Sequence, residues 1–261
     1  MNEIQEGFSD RTLFKQSNEL NGASYRLSEV SQNIIMTLIS EIKSEDSDFK
    51  DYRFYIKDLE GKIGKKIDRS YLDKISDELL RNTIKIKKGE NAKNFLKINW
   101  ISSFEYFNDE GLFEVSFDPK LKPYLLNVKD KFALGFLGEF TEIKGEYSKR
   151  IYMLVRQYAF RRELKIDVEE LKTMLLIPKS MQEYKVFKSR IINPTVAQIN
   201  SKTSLNISIE EVREGRKISQ IIFKISDKII DKKTEKKNNR QVSLGEWDSS
   251  VTIARLAKQS K

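Results

Sequence analysis

The chain has 261 residues, 39% of them hydrophobic, which is enough for one large or two ordinary domains with cores of their own. Lys and Arg number 48 against 39 Asp and Glu, a formal net charge of +9 that favours an anionic partner such as nucleic acid or a membrane surface. With no histidine and no cysteine, the chain cannot build a Cys/His zinc site, a Ser-His or Cys-His nucleophile pair, or a disulfide.

In chain order, SEVSQNIIMTLISEIK repeats Val30, Ile34, Ile35, Leu38, Ile39 and Ile42 at helical spacing behind Ser28, which predicts a helix with a buried face. After the polar SEDSDFKD, YRFYI alternates as a short strand. DRSYLDKISDELL carries Leu72, Ile75, Leu79 and Leu80 behind Asp68, a second amphipathic helix. TIKIKKGENAKNFLKINWISSFEYF reads as alternating strands around a glycine-containing hairpin, and GLFEVSF as a further strand. PKLKPYLLNV and KFALGFLGEFTEIKG show helix-like apolar spacing broken by Pro123, Gly135, Gly138 and Gly145, and a domain junction is placed near Lys129.

YSKRIYMLVRQYAF predicts a helix with Ile151, Leu154, Val155 and Tyr158 on one side and Lys149, Arg150 and Arg156 in solvent. IDVEELKTML starts at Asp167 with Glu170 three residues on, a capping-box spacing, and IPKSMQEY is a turn. KVFKSRIINPTVAQIN, residues 185–200, is the next helix: Ile191, Ile192, Val196 and Ile199 share a face, and Ser189, Arg190 and Asn193 point away from it. Pro194 removes a donor and crowds the preceding turn, so a bend, or a restart with Asn193 as N-cap, is expected. LNISIEEVREGRKISQIIFKIS is a two-stranded hairpin with Arg213, Gly215, Arg216 and Lys217 at its tip. From Asp227 onward the sequence is rich in Lys, Asn and Ser and reads as a flexible tail, with Trp247 as a candidate anchor for a protein partner.

Both halves read as helix, turn, helix, β-hairpin, which describes an α+β chain of two tandem winged-helix domains related by a pseudo-repeat. The boundaries are 12–128, 129–226 and a basic tail at 227–261. In a winged helix the second helix enters the major groove and the hairpin lies on the backbone. Arg190 is the candidate reader of a guanine edge, with Gln182, Ser189 and Asn193 beside it, while Lys185, Lys188, Arg213, Arg216 and Lys217 are candidate phosphate contacts. In the first half Lys65, Lys66 and Arg69, with Lys87 and Lys88 on the hairpin, are candidates for less specific backbone contact. There the helix mixes Arg69, Lys74 and Arg81 with Asp73, Asp77 and Glu78, a composition that reads as a solvated face.

No compact Asp/Glu cluster suggests a Mg²⁺ site, and no GxxxxGK[ST] loop is present, so a metal-dependent nuclease ranks last and neither cofactor nor catalytic residue is expected. No apolar run approaches a membrane span, and MNEIQEGFSDRTLFKQ is too polar for a signal peptide; the expected compartment is the cytoplasm, without a membrane partner.

Four stretches together resemble the plasmid replication initiators that bind iterons: KQSNELNGASYRLSEVSQNIIMTLISEI, WISSFEYFNDEGLFEVSFDPKLKPYLL, YSKRIYMLVRQY and FKSRIINPTVAQINSKTSLNISIEEVREGRKISQIIFKI. They span Lys15 to Ile225. The resemblance implies a non-enzymatic origin-binding protein whose monomers occupy direct repeats in double-stranded plasmid DNA. It further implies a homodimer, formed through the first domain in equilibrium with the monomer, that binds inverted repeats and represses its own gene. Host initiator and helicase machinery are the implied protein partners. By position the family's groove-entering helix falls on 183–200, where Lys188 and Arg190 match its basic cluster and Ser189 stands where relatives often have another basic residue. A stand-alone transcriptional repressor of the same fold is the alternative reading.

Overall fold

The computed structural model describes residues 12–63, 66–89, 94–126 and 128–228. The first half runs β1 (Leu13–Ser17), α1 (Asn18–Asn21), α2 (Glu29–Ser40), β2 (Tyr52–Tyr55), α3 (Ile56–Ile63), α4 (Arg69–Arg81), β3 (Thr83–Lys88), β4 (Asn94–Asn99), β5 (Ile101–Phe107) and β6 (Leu112–Phe117). α5 (Lys122–Leu125), β7 (Phe132–Phe136), α6 (Leu137–Glu142) and α7 (Glu146–Tyr158) follow. The second half adds β8 (Glu163–Asp167), α8 (Val168–Met174), α9 (Tyr184–Phe187), α10 (Asn193–Lys202), β9 (Leu205–Glu214) and β10 (Lys217–Asp227). The sheets are β1-β7, β2-β6-β5, β3-β4 and β8-β10-β9, with all pairs antiparallel.

Helix starts follow the capping residues in the first half. Ser28 accepts from the Ser31 amide at 3.3 Å, and Asp68 accepts from the Tyr71 amide at 2.8 Å. Glu78 departs from the solvated face that its neighbours suggest. Its carboxylate accepts from the Ser28 amide at 2.5 Å, the Ser28 hydroxyl at 2.7 Å and the Ser31 hydroxyl at 2.6 Å, so α4 caps the N-terminus of α2 from outside, where an anion also meets the positive end of the helix dipole. Asp167 departs as well: it stands at the N-cap position of α8 without a capping bond, and its carboxylate accepts instead from Gln220 at 3.0 Å across the sheet.

KFALGF is a strand, not a helix. It pairs with β1 in register from Leu13↔Phe136 to Ser17↔Phe132, and a Cβ at Gly135 would lie 2.3 Å from the Phe14 ring. Gly135 is thus the residue that lets the β7 backbone close over that ring. The junction expected near Lys129 is not a break in packing, since β7 on its far side pairs with β1 on its near side. Strand β10 continues through Asp227, one residue past the expected limit, and residues 229–261 with Trp247 lie outside the described part.

Helix α7 corrects the largest expectation. Ser148 to Val155 are buried without interruption, including Lys149 and Arg150, which the spacing alone puts in solvent; a helix buried all round is an interior element. Lys149 donates to the Phe140 carbonyl and sits 4.4 Å from the Phe140 ring centroid. The Arg150 guanidinium donates to the Ala23 carbonyl at 2.5 Å and lies 3.5 Å from the Tyr25 ring centroid. Arg156 is half-buried and donates to the Leu134 carbonyl at 3.1 Å. Two neighbours grip the same helix. From the first half Asn21 donates to the Met153 carbonyl at 3.0 Å and to Gln157 at 2.7 Å, and Gln32 donates to the Glu146 carbonyl at 3.0 Å. From α10, Thr195 and Ser148 share a hydroxyl contact at 2.8 Å, and Gln198 bonds both backbone groups of Lys144.

Burial pushes the Lys149 ammonium down from 10.5 to about 7, with Lys144 and Lys202 acting in the same direction and Glu29 and Glu142 against it. A lysine whose folded pKa lies below its unfolded one destabilises the fold wherever the unfolded chain binds the extra proton. Stability therefore rises with pH between about 7 and 10.5, by at most about 1.4 kcal/mol per pH unit from this group. Urea unfolding of Lys149→Met at pH 7 and pH 9.5 should show a flatter pH dependence than the parent; parallel curves would place the ammonium in contact with solvent.

Candidate nucleic-acid interface

The second half holds one exposed, positively charged helix face beside a charged hairpin tip. Phe187, Ile191, Ile192, Thr195 and Ile199 are buried, and Val196 is half-buried against the core, so the helix is seated by the face its apolar spacing marks. Lys185, Ser189, Arg190 and Asn193 are exposed on the other side. Pro194 neither breaks the helix nor makes Asn193 a cap. Residues Lys188–Ile192 form a π turn, Asn193 has helical dihedrals of −61° and −46°, and its amide bonds to the Lys188 carbonyl five residues back. A widened turn just before proline relaxes the crowding that its ring imposes on the preceding turn, so α9 and α10 run on as one recognition helix. It also sets Ser189 and Arg190 on the widest part of that helix.

The turn ahead of the helix is held by a buried cation. Lys172 Nζ donates to the Gln182 carbonyl at 2.6 Å and to Glu169 at 2.8 Å, and the Gln182 side chain donates to the Ile177 carbonyl at 2.6 Å. Gln182 is thereby engaged in closing the turn. Ser189 donates to the Val186 carbonyl at 3.1 Å, its own helix, while Arg190 and Lys185 form no ion pair with another described residue.

Strands β9 and β10 form the wing. Gly215, at φ +60°, makes the turn, and Arg213, Arg216 and Lys217 are exposed around it. The wing is fixed to the recognition helix at two levels. Near its base, Asn200 exchanges hydrogen bonds of 2.8 and 2.6 Å with the Ile207 backbone. Further up, Glu211 on β9 receives the Tyr184 hydroxyl at 2.6 Å and pairs with Lys188 at 2.5 Å. The Lys188 and Tyr184 hydrogen bonds hold the Glu211 carboxyl below the usual carboxylate range, and burial pushes the Tyr184 phenol up. Glu211 and Tyr184 had no signal in the sequence, where each occupies an ordinary surface position of a helix or strand; only the tertiary approach of helix and wing brings them together.

The first-half candidates are more scattered. Lys66 and Arg69 are exposed at the start of α4, and Lys65 lies outside the described residues. Lys87 faces Glu170 of α8 at 4.0 Å, a tie between halves, and Lys88 pairs with Glu19 at 3.4 Å over the Tyr124 ring. Exposed pairs of this kind contribute only about 0–1 kcal/mol each and can be exchanged for phosphate. Among the described residues no three Asp or Glu side chains come together as a metal site, and no helix is long and apolar enough to cross a membrane.

Residues 13–156 match the family described as Initiator Replication protein, WH1, and residues 167–225 match Initiator Rep protein, WH2. Of curated relatives, the PI protein of Escherichia coli is 28% identical over 182 residues, covering 61% of this chain and 59% of that protein. The Replication initiation protein of Escherichia coli is 25% identical over 246 residues, covering 89% of this chain and 75% of that one. The match thus spans less than two thirds of the PI protein's length. Among solved structures, the Pi initiator protein in complex with iteron DNA superimposes with a TM-score of 0.67 at 22% identity, over 85% of this chain and all of that one. At that identity the likeness establishes the fold, two winged-helix units in tandem.

The wing makes a direct prediction. Replacing Arg216 and Lys217 together by Gln should weaken binding to any duplex alike, with the slope of log affinity against log salt falling by about 0.9 for each phosphate that is no longer neutralised. Fluorescence anisotropy across a salt series reads this, and an unchanged slope would remove the wing tip from the interface.

Proposed function

The chain belongs to the initiator replication protein family, and from that membership we propose that it binds directly repeated sites at a plasmid origin and promotes opening of the neighbouring duplex. The observation that carries the reading is the exposed Lys185, Ser189, Arg190 and Asn193 face of a well-seated helix, set beside a wing tip with three further cations. A helix of that kind fits the major groove, and Arg190 has the reach and fork geometry for a guanine edge. Lys185, Arg213, Arg216 and Lys217 hold the backbone on either side. The first unit adds backbone contacts through Lys66 and Arg69.

The protein acts by position. It has neither histidine nor cysteine, and its work is to gather several copies on adjacent repeats and deform DNA whose resistance to bending and unstacking depends on sequence. A homodimer through the first unit, binding inverted repeats to repress its own gene, is supported by the three-stranded sheet that ends on β5, an edge strand whose Phe104 stacks on Phe113 of β6 at 5.1 Å. Loading of host initiator and helicase proteins, in the cytoplasm, completes the reading.

Footprinting on DNA flanking the gene, with permanganate probing of the supercoiled form, tests it. Protected direct repeats and new thymine reactivity next to them support initiation; a lone protected inverted repeat without opening would make the protein a repressor. In the same assay Arg190→Ala should cost roughly 1–3 kcal/mol at the specific site and relax the preference at one base position. Equal losses on specific and unrelated DNA would show that Arg190 does not read a base.

A further inference from the structure

We propose that Glu211 is a positioning residue that determines specificity, because its carboxylate withholds Lys188 from the phosphate backbone and so suppresses binding to unrelated DNA. The proposal deepens the DNA-binding reading above and rests on it. Of the acidic side chains on the wing, Glu210 and Glu214 are exposed, whereas Glu211 is turned into the cleft between the wing and the basic helix, where a carboxylate repels the phosphates that both approach. Here it is built in. Glu211 is three-quarters buried at 23% side-chain exposure, it accepts from Tyr184 at 2.6 Å, and it pairs with Lys188 at 2.5 Å.

Two consequences follow from this geometry. Lys188, in the basic run that sequence alone assigns to phosphate contact, is neutralised by a partner on another element and held toward the wing. Its exposed neighbours Lys185 and Arg190 keep their charge unpaired. The charge of Arg213, two residues along the same strand, lowers the Glu211 pKa further. Binding to unrelated sequence is almost entirely counterion release, so each cation withdrawn lowers that background without touching base readout. Specificity is a ratio, and it rises where the groove-seated pose leaves Lys188 turned to the wing while unrelated DNA is held by any cation within reach.

Glu211→Gln keeps the shape and a hydrogen bond to Tyr184 while freeing Lys188. On a scrambled 30-base-pair duplex it should bind roughly threefold to tenfold more tightly at low salt, with a salt slope steeper by about 0.9. Removing one negative charge strengthens DNA binding in a general way as well, so the deciding comparison is with Glu214→Gln, which removes an exposed carboxylate from the same strand and leaves the Lys188 pair intact. If Lys188 is the released cation, Glu211→Gln gains severalfold more than Glu214→Gln on the scrambled duplex, and the excess disappears when Lys188→Gln is added to it. Equal gains in the two single variants, an excess that survives Lys188→Gln, or a Glu211→Gln variant with unchanged or weaker binding and unchanged slope overturns the proposal. The reading beneath it fails separately: a random-sequence duplex pool from which the parent protein enriches no site would refute specific DNA binding, whatever the variants do on the scrambled duplex.

Discussion

Helix α7 is gripped by the first half on one side and by the helix at 184–202 on the other, and that double contact fixes where the 184–202 helix sits. The grip is polar as much as apolar. Two basic side chains enter the interior with the helix, each with one backbone carbonyl and one aromatic ring as company, Lys149 on Phe140 and Arg150 on Ala23 and Tyr25. A buried charge without a carboxylate partner is costly, and such groups are tolerated where they fix one arrangement among several apolar alternatives. Here the arrangement fixed is the seat of α7 within the first unit, since these contacts all lie inside residues 13–156. Asn21, Gln32 and Thr195 add directional bonds to the same helix, Gln198 holds Lys144 just ahead of it, and a slide by one turn would break the bonds to the helix together.

Local rules were legible where a single element decided its own form. Ser28 and Asp68 start helices that their side chains cap, and the apolar period of 185–200 picked out the residues that are buried. They failed where a partner distant in sequence decided. KFALGF has apolar spacing that suits a helix until β1 supplies hydrogen-bond partners, and Gly135 looks like a helix breaker until Phe14 stands against it. Lys149 and Arg150 look like the polar side of an amphipathic helix because nothing in YSKRIYMLVRQY says that the helix is packed on every side.

The candidate site divides along the same line. The exposed positions of the recognition helix and wing tip could be read from periodicity and from the glycine turn, since an outward residue needs no partner. What a given cation does there could not be read. Gln182 closes a turn, Lys88 packs over Tyr124, and Lys188 is tied to the wing, and each of these uses depends on an element separated in sequence by 5 to 36 residues. Pro194 belongs with them, because a proline in a helical pattern signals a break or a restart, and only the fold shows that a π turn ending on the buried Ile191 and Ile192 carries the helix through.

The 48 Lys and Arg side chains therefore overstate the surface that phosphate can meet. Lys149, Arg150 and Lys172 are buried, Arg26, Arg53 and Lys224 are paired with carboxylates on other elements, and Lys87 and Lys88 have acidic neighbours of their own. The cations left exposed around the recognition helix and wing form a short cluster, and a short cluster has a property that a uniformly basic surface lacks. Uniform charge binds any duplex in any register, whereas on the reading proposed above a few cations on one helix and one wing would meet phosphates together only with the helix seated in the groove. Placement of that kind would convert a sequence-blind attraction into a test of fit, with base contacts deciding among the seats that pass it.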